Sequence, residues 1–129
     1  MQYLITPSQS TNWQINPPEF IKILSKQWSD IKIEKVSNPD DHYALEWSLK
    51  PPQMGVRLDG ALHQDGQGIS LDGYLEDCAK FAIWFRSQVP TIQELVFYDQ
   101  GYNHSIELKN DTKDVEIIEV FTEKTMVIV

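Results

Sequence analysis

The chain of 129 residues has little cysteine, little positive charge and no long apolar run. Its single cysteine, Cys78, excludes an internal disulfide, and a lone thiol is typical of a protein in a reducing compartment. With 11 Lys and Arg against 19 Asp and Glu, the formal net charge of −8 excludes a general attraction to nucleic acid or anionic lipid. No stretch approaches the ~20 apolar residues of a membrane span, and the N-terminus lacks a signal pattern. These absences predict a cytoplasmic protein with no nucleic-acid partner and no membrane partner.

The composition is that of an ordinary globular domain. Apolar residues make up 41% of the chain, which contains four Trp, five Tyr and five Phe. A chain of this size buries enough surface to fold without a disulfide or a structural metal. Neither an internal repeat nor a low-complexity linker divides it, so residues 1–129 are predicted to form a single α+β domain.

Two helices have clear sequence signals. The first is predicted to follow Asn16 as N-cap and Pro17 in the first turn, with an apolar stripe formed by Phe20, Ile21, Leu24 and Trp28. The second is predicted to follow Asp72 as N-cap and to end near Gln88, since Pro90 disfavours a helical Val89. Its apolar stripe is broad and comprises Leu75, Cys78, Ala79, Ala82, Phe85 and Val89, widened by Phe81 and Trp84.

The other periodic segments alternate between apolar and polar residues and are therefore predicted to be strands with one buried face. The clearest runs from Tyr43 to Leu49. The next ends near His63 and contains Gly60, interpreted as a bulge, before the turn at Asp65 and Gly66. Further strands are predicted at residues 2–5, 31–33, 69–71, 95–98 and 102–108.

The last part of the chain has a mixed signal. Residues 112–121 fit either a short helix, with Thr112 as N-cap, or a strand; the helix is favoured. Residues 125–129 are apolar and β-prone, and are predicted to form an added strand or a partly ordered tail.

The order of these elements, β-α-β-β-β-β-α-β-β-α, predicts an antiparallel sheet with two or three helices packed on one face. The fold class is therefore an α+β two-layer sandwich.

No motif for catalysis or for a cofactor is present. The histidines His42, His63 and His104 lie outside helical metal-ligand spacing, and the aspartate–glycine pairs do not follow the order of a calcium loop. Cys78 belongs to an apolar stripe, where a thiol packs as a small hydrophobe, and the proximity of Ser70 to His63 in sequence is no evidence of a dyad. We therefore expect no catalytic residue, no metal and no cofactor.

The acidic residues are concentrated in the second half of the chain. Residues 1–64 contain six basic and seven acidic side chains, whereas residues 65–129 contain five basic and twelve acidic ones. This surplus is interpreted either as a solvated helix face or as a docking surface for a basic partner. Aromatic residues of the last hairpin are of the type that is common at binding hot spots. The candidate partner-binding residues are Asp111, Asp114, Glu116, Glu119, Tyr98 and Tyr102.

These features favour a non-enzymatic protein-interaction module, of an immunity or regulatory type, that binds a basic protein. In general character the chain is similar to many small bacterial interaction and immunity-type proteins, although this likeness rests on no specific residue. The alternative is a small-ligand binding or catalytic domain with a pocket between sheet and helices, near His63 and Asp59. Both a monomer and a homodimer are compatible with the sequence, the latter through a strand at Val127, Ile128 and Val129.

Overall fold

Seven strands and three helices follow one another in the predicted order. The computed structural model describes residues 2–38, 40–50 and 57–122. The elements are β1 (Gln2–Pro7), α1 (Pro17–Gln27), β2 (Lys32–Lys35), β3 (Tyr43–Leu49), β4 (Leu58–His63), β5 (Ile69–Asp72), α2 (Leu75–Gln88), β6 (Leu95–Asp99), β7 (Ser105–Leu108) and α3 (Asp114–Thr122). The α+β class and the order of elements are thus confirmed.

The strands form one antiparallel sheet in the order β2-β3-β4-β5-β1-β6-β7. Strand β1 lies between β5 and β6, so the first strand of the chain joins two groups of strands that are consecutive in sequence. Its buried side chains, Tyr3 and Ile5, pair with Leu71 and Ile69 on one side and with Asp99 and Phe97 on the other.

All three helices pack on the same face of this sheet, which confirms the two-layer arrangement. Phe20 of α1 and Phe81 of α2 both contact Trp47 of β3, with ring centroids 5.5 and 5.8 Å apart. Phe121 of α3 contacts Tyr3 and Phe97 at 5.6 and 5.2 Å. Because these sheet residues share one side of the pleat, the core lies between this side and the helices.

The predicted start of α1 and the predicted end of α2 agree with the structure. Asn16 caps α1, because its side chain accepts a hydrogen bond from the backbone N–H of Glu19, and α2 ends at Gln88. The exception is Asp72, which is the last residue of β5 and does not cap α2. The N-cap of α2 is Tyr74, which makes no side-chain capping hydrogen bond, so the predicted cap is wrong.

Residues 114–122 are helical, as favoured, but Thr112 is not the cap. The Thr112 hydroxyl instead accepts a hydrogen bond from the Lys109 N–H at 2.8 Å. The first turn is closed by Glu116, whose carboxylate accepts the Lys113 N–H at 2.9 Å. The strand predicted at residues 125–129, which includes Val127, Ile128 and Val129, lies outside the described residues.

Gly60 is not a bulge. It pairs regularly with Trp47, and the register shift of this strand pair lies between Tyr43 and Leu45. Glycine is needed for a different reason: a Cβ atom at position 60 would lie 2.3 Å from the Trp47 indole. The indole therefore occupies the space above Gly60 on the helix side of the sheet.

Arg86 is a buried cation that the sequence did not indicate. It is 4% exposed at the end of α2, where its guanidinium donates to the carbonyl oxygens of Val89, Pro90, Gln93 and Leu108. These bonds connect the C-terminus of α2 to the following loop and to the edge strand β7. Charged donors that satisfy several buried acceptors stabilise a fold more than neutral ones do.

Replacement of Gly60 by alanine is expected to destabilise the protein by about 2–3 kcal/mol, because the added methyl group would displace the Trp47 indole from a packed core. The matched control is Gly101→Ala, whose Cβ would approach only the flexible amide end of Asn103, at 2.8 Å. It should change stability by less than about 0.5 kcal/mol. Chemical denaturation measures both, and equal effects of the two substitutions would contradict the close packing at Gly60.

Candidate functional site

The face of the sheet opposite the helices, here called the open face, carries the polar side chains of the strands. One row of paired residues crosses all seven strands and is called the long row. It consists of Glu34, Glu46, Ala61, Ser70, Leu4, Tyr98 and Ser105. A parallel short row crosses five strands and consists of Lys32, Ser48, Asp59, Asp72 and Gln2.

A groove of about 1010 Å³ lies on the open face over strands β2 to β5. Small side chains form its floor, namely Ser48, Ala61 and Ser70, while longer charged side chains surround them. The opposite side of the same strands is filled, since Leu62, Ile69 and Leu71 are fully buried. The concave surface that includes Asp59 is therefore on the open face and not between the sheet and the helices.

The groove is lined by five acidic and three basic residues. The acidic residues are Asp30, Glu34, Glu46, Asp59 and Asp72, and the basic ones are Lys32, Lys50 and Arg57. Acidic residues therefore outnumber basic ones in the groove. Most of its lining residues nevertheless come from residues 1–64, the half of the chain with nearly equal numbers of acidic and basic side chains.

Two pairs of like charges face each other directly across neighbouring strands. Glu34 is paired with Glu46, and Asp59 with Asp72. Asp59 forms an ion pair with Arg57, with Nε 3.0 Å from Oδ1. Glu34 and Glu46 are exposed, and no Lys or Arg in the described part of the chain forms an ion pair with either. Like charges directly opposite each other destabilise a sheet, so this pair opposes folding.

His63, at the end of β4, also lies on the open face, beside the groove. Its Nε2 atom is 2.8 Å from the Ser70 hydroxyl. The imidazole packs against Gly68, since a Cβ atom at position 68 would lie 2.3 Å from the His63 Nδ1 atom. His63 lines a smaller hollow of about 360 Å³ together with Asp65, Gln67 and the segment that follows β1. The structure thus makes a contact between Ser70 and His63 that their spacing in sequence did not predict.

This contact does not amount to a catalytic triad. Ser70 is 6% exposed in the middle of a strand, and burial lowers the pKa of His63, an effect that nearby His42 increases and Asp65 opposes. His63 is therefore neutral at pH 7. Among the residues described, no carboxylate is hydrogen bonded to the His63 ring, so an orienting third group for general-base catalysis is lacking.

The hairpin between β6 and β7 carries two tyrosines with touching rings. Tyr98 is on the open face and its hydroxyl accepts a hydrogen bond from Thr6, whereas Tyr102 is in the turn and 60% exposed. Their ring centroids are 4.6 Å apart. The strand predicted at residues 102–108 began at Tyr102, but β7 begins only at Ser105.

The predicted acidic partner-binding residues lie elsewhere. Asp111 is in the turn before α3, and Asp114, Glu116 and Glu119 are on α3, within the helical layer. The two tyrosines are at the other end of β7, so the structure does not bring the predicted set together. The carboxylate of Glu116 already caps α3.

The other candidate groups are the Cys78 thiol and the remaining histidines. Burial raises the pKa of the Cys78 thiol to about 12, and the neighbouring charge of Asp77 adds to this effect, so the thiol is unreactive. His104 is 3.4 Å from the Asp99 carboxylate in the last hairpin, whereas His63 ends β4, three strands from β6, and His42 precedes β3, four strands from β6. Within residues 2–38, 40–50 and 57–122, no three His, Cys, Asp or Glu converge as metal ligands.

Comparison of the chain with protein-family models, with curated proteins and with solved structures finds no match. Among the helices that the structure describes, none has the length and apolar character needed to cross a membrane.

We expect the stability of the protein to fall as the pH is lowered below about 6.5, the ordinary pKa of histidine. Because the folded state lowers the pKa of His63, it favours the neutral ring. The neutral His63 ring therefore contributes its full stabilisation at pH values above the pKa of His63 in the unfolded chain. This stabilisation is lost as the pH falls towards the pKa of His63 in the folded protein. Thermal unfolding between pH 7.5 and pH 5 measures this loss.

The loss should be smaller in His63→Gln, which keeps a hydrogen-bonding group for Ser70 but does not titrate. His42→Gln is the matched comparison, because His42 is exposed at the adjacent end of β3 and contributes only the smaller, electrostatic part of the lowering. An unchanged pH dependence in His63→Gln, or a larger reduction in His42→Gln than in His63→Gln, would show that another group is responsible.

Proposed function

We propose that the chain is a cytoplasmic, non-enzymatic interaction module, of an immunity or regulatory type, whose open face binds a basic protein. The observation that carries this proposal is the pairing of Glu34 with Glu46 at the side of a concave sheet surface. Repulsion between the two carboxylates destabilises the folded chain, and a Lys or Arg side chain of a partner would neutralise them.

This charge pattern is unusual because sheets generally place opposite charges across from each other. Strand β2 offers such partners close by, since Lys32 and Lys35 flank Ile33 and Glu34 in the same strand. Yet Glu34 faces Glu46, while Lys32 faces Ser48. Residues that break a local rule of stability are expected at functional sites.

The open face is also large enough for a protein partner. Seven strands at a spacing of about 4.8 Å make the sheet about 29 Å wide. A standard protein interface covers roughly 800 Å² on each partner, and the long row alone spans this whole width.

The acidic residues of α3 are a second negatively charged surface, on the other side of the sheet. We favour the open face because α3 shows no comparable conflict: Glu116 caps the helix, and Asp114 lies in its first turn, where the helix dipole stabilises a negative charge. Asp111 and Glu119 are exposed and suit a role in solubility.

A small-ligand site is the second candidate function. It is favoured by the volume of the groove, which is at the upper end of the range of ligand pockets, and by the hydroxyl of Ser70 in its floor. In that case Asp59 would line the site and His63 would adjoin it, on the open face.

The proposal is tested by selecting binders from a displayed library of random peptides about 12 residues long, which in extended form can cross the sheet. Peptides rich in Lys and Arg are expected, and their binding should weaken between about 0.05 M and about 0.5 M salt. The double substitution Glu34→Lys with Glu46→Lys should reduce their affinity by about tenfold or more.

The control is Asp111→Lys with Glu119→Lys, which makes the same change in net charge at exposed positions of the other surface. If both double variants weaken binding equally, net charge and not the open face is responsible. Selection of apolar or acidic peptides only, or of none, would overturn the proposal and favour the small-ligand alternative.

A further inference from the structure

The turn between β6 and β7 holds a tyrosine in a backbone conformation that side chains disfavour. Tyr102 has a φ of 55°, and no other non-glycine residue described has a positive φ. It follows a tight turn in which the Tyr102 N–H donates to the Asp99 carbonyl at 2.9 Å. This position usually requires glycine, and a bulky residue there is strained. Gly101, the residue before it, has an ordinary negative φ.

Asp99 holds the turn in this strained form. Its carboxylate accepts the backbone N–H of Asn103 at 2.7 Å and that of His104 at 3.4 Å, and is 3.4 Å from the His104 ring. Burial alone would raise the pKa of Asp99, but these hydrogen bonds outweigh it and the pKa is lowered. The carboxylate is therefore charged, and both of its oxygens have partners within the turn. Strain that the surroundings impose in this way is found at binding sites.

The result of the strain is an exposed aromatic pair in a fixed position. The Tyr102 ring contacts Tyr98 at 4.6 Å and remains 60% exposed. Tyr98 belongs to the long row, next to Leu4 and opposite Ser105. The pair thus continues the open face beyond the groove, towards β7.

The strands around the two tyrosines carry no positive charge. Strands β5, β1 and β6 contain no Lys or Arg, and neither does the turn from Asp99 to His104. A partner cation at the tyrosines would therefore meet no Lys or Arg of these strands or of the turn; Lys109, which follows β7, is itself ion paired with Glu107 at 3.9 Å. Guanidinium groups stack on aromatic rings better than ammonium groups do, because they are planar and more weakly hydrated.

We infer that Tyr98 and Tyr102 form a preorganised stacking site for an arginine side chain of the basic partner. This inference rests on the proposed function and specifies how the same face recognises its partner. In the sheet, β6 is four strands from β3, so the tyrosines are about 19 Å from Glu46. One side chain cannot reach both places. The partner is therefore a polypeptide that offers an arginine at the tyrosines and a second basic residue at Glu34 and Glu46.

The test compares two probes of equal charge, oligoarginine and oligolysine peptides about ten residues long, in titrations with the intact protein. The wild type is expected to bind oligoarginine about three- to fivefold more tightly. Tyr102→Asn should abolish this preference and leave oligolysine binding unchanged, because asparagine tolerates a positive φ. The matched control is Tyr74→Asn, which removes a similarly exposed tyrosine at the start of α2 and should keep the preference.

Thermal unfolding separates binding from folding. If the strain serves recognition, Tyr102→Asn and Tyr102→Gly should leave Tm unchanged or raise it, because both residues accept the conformation more readily. A marked fall in Tm of both variants would assign Tyr102 to fold stability and overturn the inference. Equal binding of the two peptides, with no effect of Tyr102→Asn, would overturn it while the proposed function stands. Binding of neither peptide would overturn the proposed function itself.

Discussion

The packing of Phe81 is the interaction on which the rest of the structure depends. Its ring lies parallel to Trp28 of α1 at 5.3 Å and nearly parallel to Trp47 of the sheet at 5.8 Å, so one side chain of α2 connects both layers. This contact requires Trp47 to lie flat over Gly60. Near the C-terminus of α2, Arg86 bonds to the following loop and to β7. Helix α2 is therefore held in its middle and at its C-terminal end, and α1 and α3 pack beside it.

Because all the helices are on one side, the polar half of every strand is left on the other. On this open face the residues are not arranged for stability alone. Glu34 faces Glu46, neither forms an ion pair with a Lys or Arg of the described chain, and Tyr102 keeps a strained backbone. A core as well packed as this one can tolerate such local costs, and natural proteins show them mainly where they bind something. Glu34 and Glu46 belong to the long row, and Tyr102 contacts Tyr98 of the same row, which is why we connect both features to one partner.

Sequence reasoning succeeded where the signal is local. The alternation that begins at Tyr43 identified β3, and Asn16 and Pro90 marked the start of α1 and the end of α2. It failed where a residue type has two uses. Asp72 suits an N-cap but continues β5, because Gln2 and Asp59 are paired with it on both sides. Gly60 suits a bulge but gives space to an indole. Arg86 is buried although arginine is generally exposed, because four carbonyl oxygens meet around it.

The sequence by itself determined the fold class, the faces of the helices and of most strand residues, and the excess of acidic charge, because periodicity, capping and charge are properties of neighbouring residues; the exception is Tyr43, which a register shift places opposite His63 on the open face. Only the tertiary structure determined the candidate site. Insertion of β1 between β5 and β6 places Leu4 next to both Ser70 and Tyr98 and thereby completes the long row. Pairing between strands that are distant in the chain depends on how the whole core packs, so no local pattern predicts which side chains become neighbours. For that reason the acidic residues of α3 and the tyrosines of the last hairpin, which were predicted to form one partner-binding set, lie on opposite sides of the sheet. Glu34 and Glu46 face each other across β2 and β3, although no sequence pattern singled them out.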